Sequence, residues 1–264
     1  MRLAAHLGIA DPNMPLLAAS AGSVDPVAQI AYAARLGFAG ITDNGLKARP
    51  ADVQRAIGAA LRTHGLAMGS FTHHVPASEP PFFWGTTIVD MRAAMAATLA
   101  AADRAGGGCI NVILLDSGAP MADQLARAVD NLAVATALAA AEGVPLAIEV
   151  ASRARVPLAL VERVSDVAAV AQAAGAELIL DSCHCHCAGE DMAAAIVAQA
   201  DMLAGVQLAD MPGRVEPGAG RIAFTPIMAA LRAIGWSGLV EAELMPAQPG
   251  VEGEKRAVAA LMAL

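Results

Sequence analysis

The sequence predicts an α/β protein, a single domain over residues 1–264 folded as one (β/α)8 TIM barrel. Three observations predict it. Strand-like and helix-like patterns alternate eight times along the chain, as a parallel sheet wrapped in helices requires. Glycines follow the helical patterns, and polar–proline pairs precede two of them. Finally, Glu149, Asp181, Gln207 and Glu243 each end or nearly end a short apolar run, at intervals of 32, 26 and 36 residues. A strand with its crossover helix takes roughly 30 residues, so these four recur about once per unit. A doubly wound open sheet is the runner-up. It is disfavoured because no G-x-G-x-x-G follows the first strand and the units number eight.

The first strand is read at Leu3–Ile9 and the first helix at Pro26–Leu36, with Asp25 as cap and Pro26 in the opening turn. Strand Gly40–Thr42 leads to helix Ala51–His64, and strand Ala67–Phe71 to helix Thr86–Ala105. Strand Cys109–Leu115 precedes helix Met121–Glu142; strand Leu146–Glu149 precedes helix Leu158–Ala174. Strand Leu178–Asp181 is followed by helix Asp191–Ala200, and strand Val206–Leu208 by helix Thr225–Ile234, which Thr225-Pro226 is expected to open. Strand Leu239–Glu243 and helix Gly253–Met262 complete the set. Gly37, Gly65, Gly143, Gly175 and Gly235 sit where a helix closes with a positive φ. The Gly/Pro-rich stretches Thr72–Gly85 and Met211–Gly220 follow strands, which makes them βα loops, the loops that build the catalytic rim of a barrel.

Composition narrows the function classes. Alanine raises the hydrophobic fraction to 56% and the mean hydropathy to +0.53. Yet charged, Gly or Pro residues break every apolar run before ~18 residues, so no membrane span is expected. The opening Met-Arg-Leu-Ala-Ala-His-Leu-Gly reads as a strand rather than a signal peptide, and a cytoplasmic location follows. A net charge of −8 and a pI near 5.2 argue against a nucleic-acid partner. Four cysteines without a framework spacing read as reduced thiols. A homo-oligomer is left open.

The four strand-end residues offer only oxygen donors, a set that suits Mg²⁺ or Mn²⁺ better than Zn²⁺. Converging on one rim they form a site for a divalent cation; taken singly, each is a barrel-end residue satisfied by a backbone or Arg partner.

These residues resemble the sugar-isomerase/epimerase superfamily of xylose-isomerase-like barrels, most closely its hydroxypyruvate-isomerase branch. The resemblance is carried by Val206-Gln207-Leu208-Ala209-Asp210-Met211-Pro212-Gly213-Arg214-Val215-Glu216-Pro217-Gly218, by Asp181 with His184, by Glu149, and by Glu243-Leu244-Met245-Pro246. It implies that Glu149, Asp181, Gln207 and Glu243 bind one divalent metal and that Glu149 and Glu243 double as the acid/base pair. It also implies that His184 and Arg214 hold substrate oxygens. The implied activity is isomerisation or epimerisation of a small sugar or hydroxy-ketone through a metal-stabilised enediolate. The pattern departs at Val150, Arg155 and Gly205, where the family carries Pro, Glu and His. A dehydratase or lyase acting on a keto-polyol is the second enzyme reading. A non-catalytic barrel with a degenerate site is the reading from a different class.

Other residues carry open alternatives. Cys183-His184-Cys185-His186-Cys187 lacks zinc-site spacing and, read as extended, puts thiols on one face and imidazoles on the other. His73 and His74 follow the third strand, and His74 is placed with Glu216 among the substrate contacts. His6 reads as a hydrogen-bonded core histidine, and Asp43 and Asn44 as helix caps or substrate contacts. Asp116 carries the same ambiguity. Asp210 reads as a support for the metal shell or an Asx turn, and Glu241 as a partner one layer beneath Glu243. Phe82-Phe83-Trp84 reads as a lid, an oligomer contact or a locally packed loop.

Overall fold

The computed structural model describes residues 1–74 and 90–264. Among them are nine parallel strands: β1 (Arg2–His6), β2 (Gly40–Thr42), β3 (Ala67–Met68), β4 (Ser70–Thr72), β5 (Cys109–Val112), β6 (Leu146–Glu149), β7 (Glu177–Asp181), β8 (Leu203–Leu208) and β9 (Leu239–Ala242). Their order is β3-β2-β1-β9-β8-β7-β6-β5-β4. Gly69 alone separates β3 from β4, so the two ends of that order are halves of one strand. Gly69 N donates to Ile41 O at 2.6 Å, Asp43 N to Ser70 O at 3.1 Å, and Cys109 N to Gly69 O at 3.1 Å. The split strand therefore bridges β2 and β5, and eight strands close into the expected barrel. Position 69 has room only for glycine: a Cβ there would lie 2.5 Å from Glu241 Oε1.

Outside the strands run α1 (Ala18–Ala21), α2 (Pro26–Arg35), α3 (Ala51–His64), α4 (Met91–Ala105), α5 (Met121–Ala141), α6 (Val164–Ala174), α7 (Ser182–Ala188), α8 (Met192–Ala198), α9 (Phe224–Ala233) and α10 (Val251–Met262). No described helix is long and apolar enough to cross a membrane. Strand alternation divides the barrel into two faces. Leu3, Ala5, Ile41, Phe71, Ile110, Ile148, Leu178, Leu180, Val206 and Val240 join the helices in the main core. His6, Asn111, Glu149, Asp181, Gln207 and Glu241 alternate with them and face inward. Below these, Cys109, Ala147 and Ile179 form a small apolar plug.

Capping follows the sequence at several points. Asp25 accepts from Ala28 N, and the five glycines expected to close helices all have φ between 66° and 87°. Three expectations need correction. The helix expected from Thr225 begins at Phe224 with Ala223 as cap, because the first helical turn tolerates Pro226 without a polar residue before it. The helix expected from Leu158 begins at Val164, since Leu115 and Ala159 pair in an isolated bridge. The cysteine–histidine run is not extended; it forms α7, with Asp181 as cap and Gly189 closing it at φ 72°. Phe82-Phe83-Trp84 and the expected helix start at Thr86 lie outside the described residues.

Candidate active site

The carboxyl-terminal mouth of the barrel collects the site. Glu149 ends β6 and is almost fully buried. Asn111, its inward neighbour on β5, donates Nδ2 to Glu149 Oε2 at 2.5 Å. His184 Nδ1 accepts the backbone N–H of Ser152 at 3.1 Å, which leaves the ring proton on Nε2, 3.4 Å from Glu149 Oε1. Burial is the largest cause acting on Glu149 and raises its pKa; the His184 ring opposes that and the Asp181 charge adds to it.

Asp181 ends β7 and caps α7, accepting Cys183 N at 2.6 Å and His184 N at 3.0 Å on Oδ1. This cap turns the chain so that His184 faces back toward Glu149. Oδ2 accepts Arg214 Nη2 at 2.8 Å. The same nitrogen lies 2.9 Å from Glu243 Oε1, and Arg214 Nε donates to the Glu243 carbonyl. Burial works against the charge of Arg214, but Asp181, Glu243 and Glu149 together outweigh it and raise its pKa. Asn44 Nδ2 also donates to Glu243 Oε1, at 3.1 Å. Glu243 is raised well above the usual carboxylate range, first by burial, with Arg214 opposing.

Arg214 reaches this position from a loop built around one carboxylate. Asp210 is fully buried, and its Oδ1 accepts Met211 N and Ile222 N while Oδ2 accepts Gly218 N and Gly220 N, all within 2.9 Å. Asp210 thus holds loop backbone. Arg214 sits at φ 56°, a region costly for a side chain with a Cβ.

Gln207 pairs in register with Asp181 and Glu241. Its Nε2 lies 3.3 Å from both Ser70 Oγ and Glu241 Oε2. Glu241 accepts Ser70 N at 2.6 Å and the Ser70 hydroxyl at 2.5 Å, and burial raises its pKa. It forms a buried layer beneath the mouth. Glu216 Oε2 accepts Ala247 N at 2.7 Å, which ties two loops together, and His74 lies half-buried just past β4. Asp43 binds Arg49 at 2.5 Å and Gly45 N, rather than capping an α-helix. Asp116 accepts Gly118 N and Gln124 Nε2. Burial pushes the Cys183 thiol up to about 12.

Among the described residues, Glu149, Asp181 and His184 bring potential ligand atoms within 4.8 Å of one another. His184 has its proton on the nitrogen facing Glu149, so it orients that carboxylate. Glu243 lies outside that group; its Oε2, like Gln207 Oε1, is buried and without a hydrogen-bond partner. An amide oxygen and a carboxylate oxygen left bare in a buried site fit a hard divalent cation.

A sequence model described as xylose isomerase-like TIM barrel matches residues 30–264. The chain belongs to that family. A curated relative from Streptomyces coelicolor, named "Putative hydroxypyruvate isomerase", is 30% identical over 139 residues, 49% of each chain. The match thus spans about half the length of that relative. Two solved structures share the fold almost end to end. The 3-keto-D-glucoside 4-epimerase of E. coli is 19% identical with a TM-score of 0.78, covering 100% of both chains. An AP endonuclease, family 2, from Brucella melitensis is 20% identical with a TM-score of 0.77, covering 96% of this chain and 95% of its own. At that identity the two establish architecture, and their differing names show how one barrel hosts unlike chemistries.

Sequence reasoning missed Asn111 and Ser70. Asn111 left a readable trace: an amide inside the apolar run Cys109–Leu115 needs a buried partner. Ser70 left none.

Proposed function

We propose that the protein is a divalent-metal-dependent isomerase or epimerase of a small sugar or hydroxy-ketone, working by proton transfer beside a carbonyl. The observation that carries this is the pair Glu149 and Glu243. Both are buried carboxyls with raised pKa values, and they flank the Asp181–Arg214 ion pair at the barrel mouth. Glu149, Asp181, Gln207 and Glu243 would hold the cation. Bound there, it would polarise a substrate carbonyl and the neighbouring hydroxyl and so acidify the carbon-bound proton.

The chain's own residues supply the rest. A carboxylate held beside the reacting carbon can take up and return its proton. Asn111 and His184 fix Glu149; Arg214 and Asn44 fix Glu243. One carboxylate removes the proton and one of the two returns it. Return to the neighbouring carbon interconverts aldose and ketose, and return to the opposite face of the same carbon epimerises. The small plug of Cys109, Ala147 and Ile179 closes the barrel beneath the site. His74 and Glu216 are retained as substrate contacts. The epimerase and isomerase names among its relatives support the same reading.

The test is product analysis in D₂O with the Mn²⁺-loaded protein. Deuterium should enter the product without loss of water, and Glu149→Gln and Glu243→Gln should each slow incorporation by ~10²–10⁴-fold. A product lighter by one water would instead establish elimination. Absence of Mn²⁺ binding at micromolar concentration, with both variants behaving like the wild type, would overturn the proposal.

A further inference from the structure

The two ends of a glutamine amide have nearly the same shape, so the neighbours of Gln207 decide which way it points. Those neighbours are Glu241 and Ser70, one layer beneath the mouth. Gln207 and Glu241 pair in register across β8 and β9. Gln207 and Ser70 are fully buried and Glu241 almost so.

Ser70 donates twice to the same carboxylate, from N to Glu241 Oε1 at 2.6 Å and from Oγ to Oε2 at 2.5 Å. That uses the only hydroxyl proton and leaves Ser70 Oγ an acceptor. Gln207 Nε2 lies 3.3 Å from that oxygen and 3.3 Å from Glu241 Oε2, so both neighbours call for hydrogens. Reversed, the amide would set its oxygen against two acceptors. Its N–H groups would then stand where Oε1 now has no hydrogen-bond partner. Two further features serve the carboxylate. Glycine at 69 leaves room for Oε1, which a Cβ would meet at 2.5 Å. Thr42 Oγ1 donates to Ser70 O at 2.7 Å and so fixes the serine.

We propose that Glu241, held by Ser70, is a positioning residue that makes Gln207 present its oxygen rather than its nitrogen to the divalent cation. The inference rests on the metal-dependent reading of the site and deepens it, because Glu241 acts through Gln207 and is not itself a ligand. A hard cation takes the carbonyl oxygen of an amide, and the N–H groups at the other end have no lone pair to offer. The direction of one amide therefore decides whether Gln207 is a ligand.

The experiment measures Mn²⁺ affinity by calorimetry in the chelator-stripped wild type, Glu241→Gln, Gln207→Glu and the double variant. Glutamine at 241 keeps the size but gains an NH₂ that can donate to Gln207 Oε1, so the amide at 207 is free to reverse. Affinity should fall by about 10–100-fold, the range for losing a group that orients a metal ligand. Glutamate at 207 has oxygen at both ends and no wrong orientation. In that background Glu241→Gln should change affinity by less than about twofold. A role confined to packing, or to the buried negative charge, would weaken Mn²⁺ by the same factor in both backgrounds and overturn the inference. Full affinity in Glu241→Gln would overturn it too. The wild type gives a reading that needs no altered residue at 241. With ¹³C,¹⁵N-labelled glutamine, Mg²⁺ should shift the Gln207 Cδ resonance, assigned by its loss in Gln207→Glu. A Cδ unmoved by bound Mg²⁺ would overturn the inference and leave the isomerase reading to the three carboxyls. Absence of Mn²⁺ binding to the wild type would count against both readings.

Discussion

Arg214 Nη2 lies 2.8 Å from Asp181 Oδ2, and the same nitrogen is 2.9 Å from Glu243 Oε1. A guanidinium thus occupies the space between two of the four oxygen-bearing side chains assigned to the cation. Without it, the three carboxyls of the mouth would face one another inside a low-dielectric barrel. Arg214 would therefore both stabilise the metal-free protein and compete with the proposed cation for these oxygens.

Removing that charge gives the first prediction. Arg214→Met should destabilise the chelator-treated protein by about 3 kcal/mol, since it strands buried carboxylates that have lost their partner. Mn²⁺ should restore more of the lost melting temperature in the variant than it adds to the wild type. Equal metal-induced shifts in scanning calorimetry would show that Arg214 and the cation do not share these oxygens.

How legible this arrangement was in the sequence depends on residue type. The barrel could be read because buried parallel strands are short apolar runs, and the helices between them end in glycine. Glu149, Asp181, Gln207 and Glu243 could be picked out as candidates because an ionisable or amide group ending such a run needs a partner. Helix α7 was hidden: Ser182–Cys187 carries no apolar period, and its organising feature is the Asp181 cap, which in sequence looks like the end of a strand. The need for glycine at 69 was equally hidden, because it answers to Glu241, 172 residues away. The pairing of Arg214 with Asp181 likewise depends on Asp210 shaping the intervening loop.

Burial of the carboxyls makes the stability of the metal-free protein depend on pH. Glu149, Glu241 and Glu243 all have folded-state pKa values raised, chiefly by burial, above the ordinary glutamate value of 4.5. The folded protein then holds protons that the unfolded chain has released, so their contribution is lost as pH rises above 4.5. His6 acts oppositely: lowered from 6.5 to about 4, it costs stability as pH falls through that window. His6 contributes the same change to the wild type and to Glu243→Gln, so a comparison of the two proteins isolates the carboxyl. Urea unfolding with chelator present, compared at pH 5 and pH 8, should show stability changing less favourably with rising pH in the wild type than in Glu243→Gln. Identical pH dependence in the two proteins would contradict a raised Glu243.

At the far side of the same mouth, Glu254 on α10 is buried and accepts Ala19 N at 2.8 Å and Ser20 N at 2.7 Å. These are donors of the first turn of α1, which have no partner within the helix. Glu254→Ala should cost about 2 kcal/mol in thermal or urea unfolding, the range for hydrogen bonds to a charged group. Glu254→Gln should recover part of it, because its amide oxygen can still accept. A cost within about 0.5 kcal/mol for the alanine variant would mean that the carboxylate does not fasten the first βα loop.

Gly205 explains one departure from the family pattern, where the resemblance would place a histidine. It pairs in register with Ile179 across β7 and β8, and a Cβ at 205 would lie 2.9 Å from Ile179 Cγ1. Ile179 fills that room as part of the inner plug with Cys109 and Ala147. Gly205→Ala should therefore destabilise by about 1–3 kcal/mol through overpacking, and Ile179→Ala by about 2–5 kcal/mol through the cavity it leaves. Each change relieves the fault of the other, so the double variant should be more stable than the sum predicts, by about 1 kcal/mol or more. Additive losses in a double-mutant cycle would mean that Ile179 does not hold position 205 to glycine.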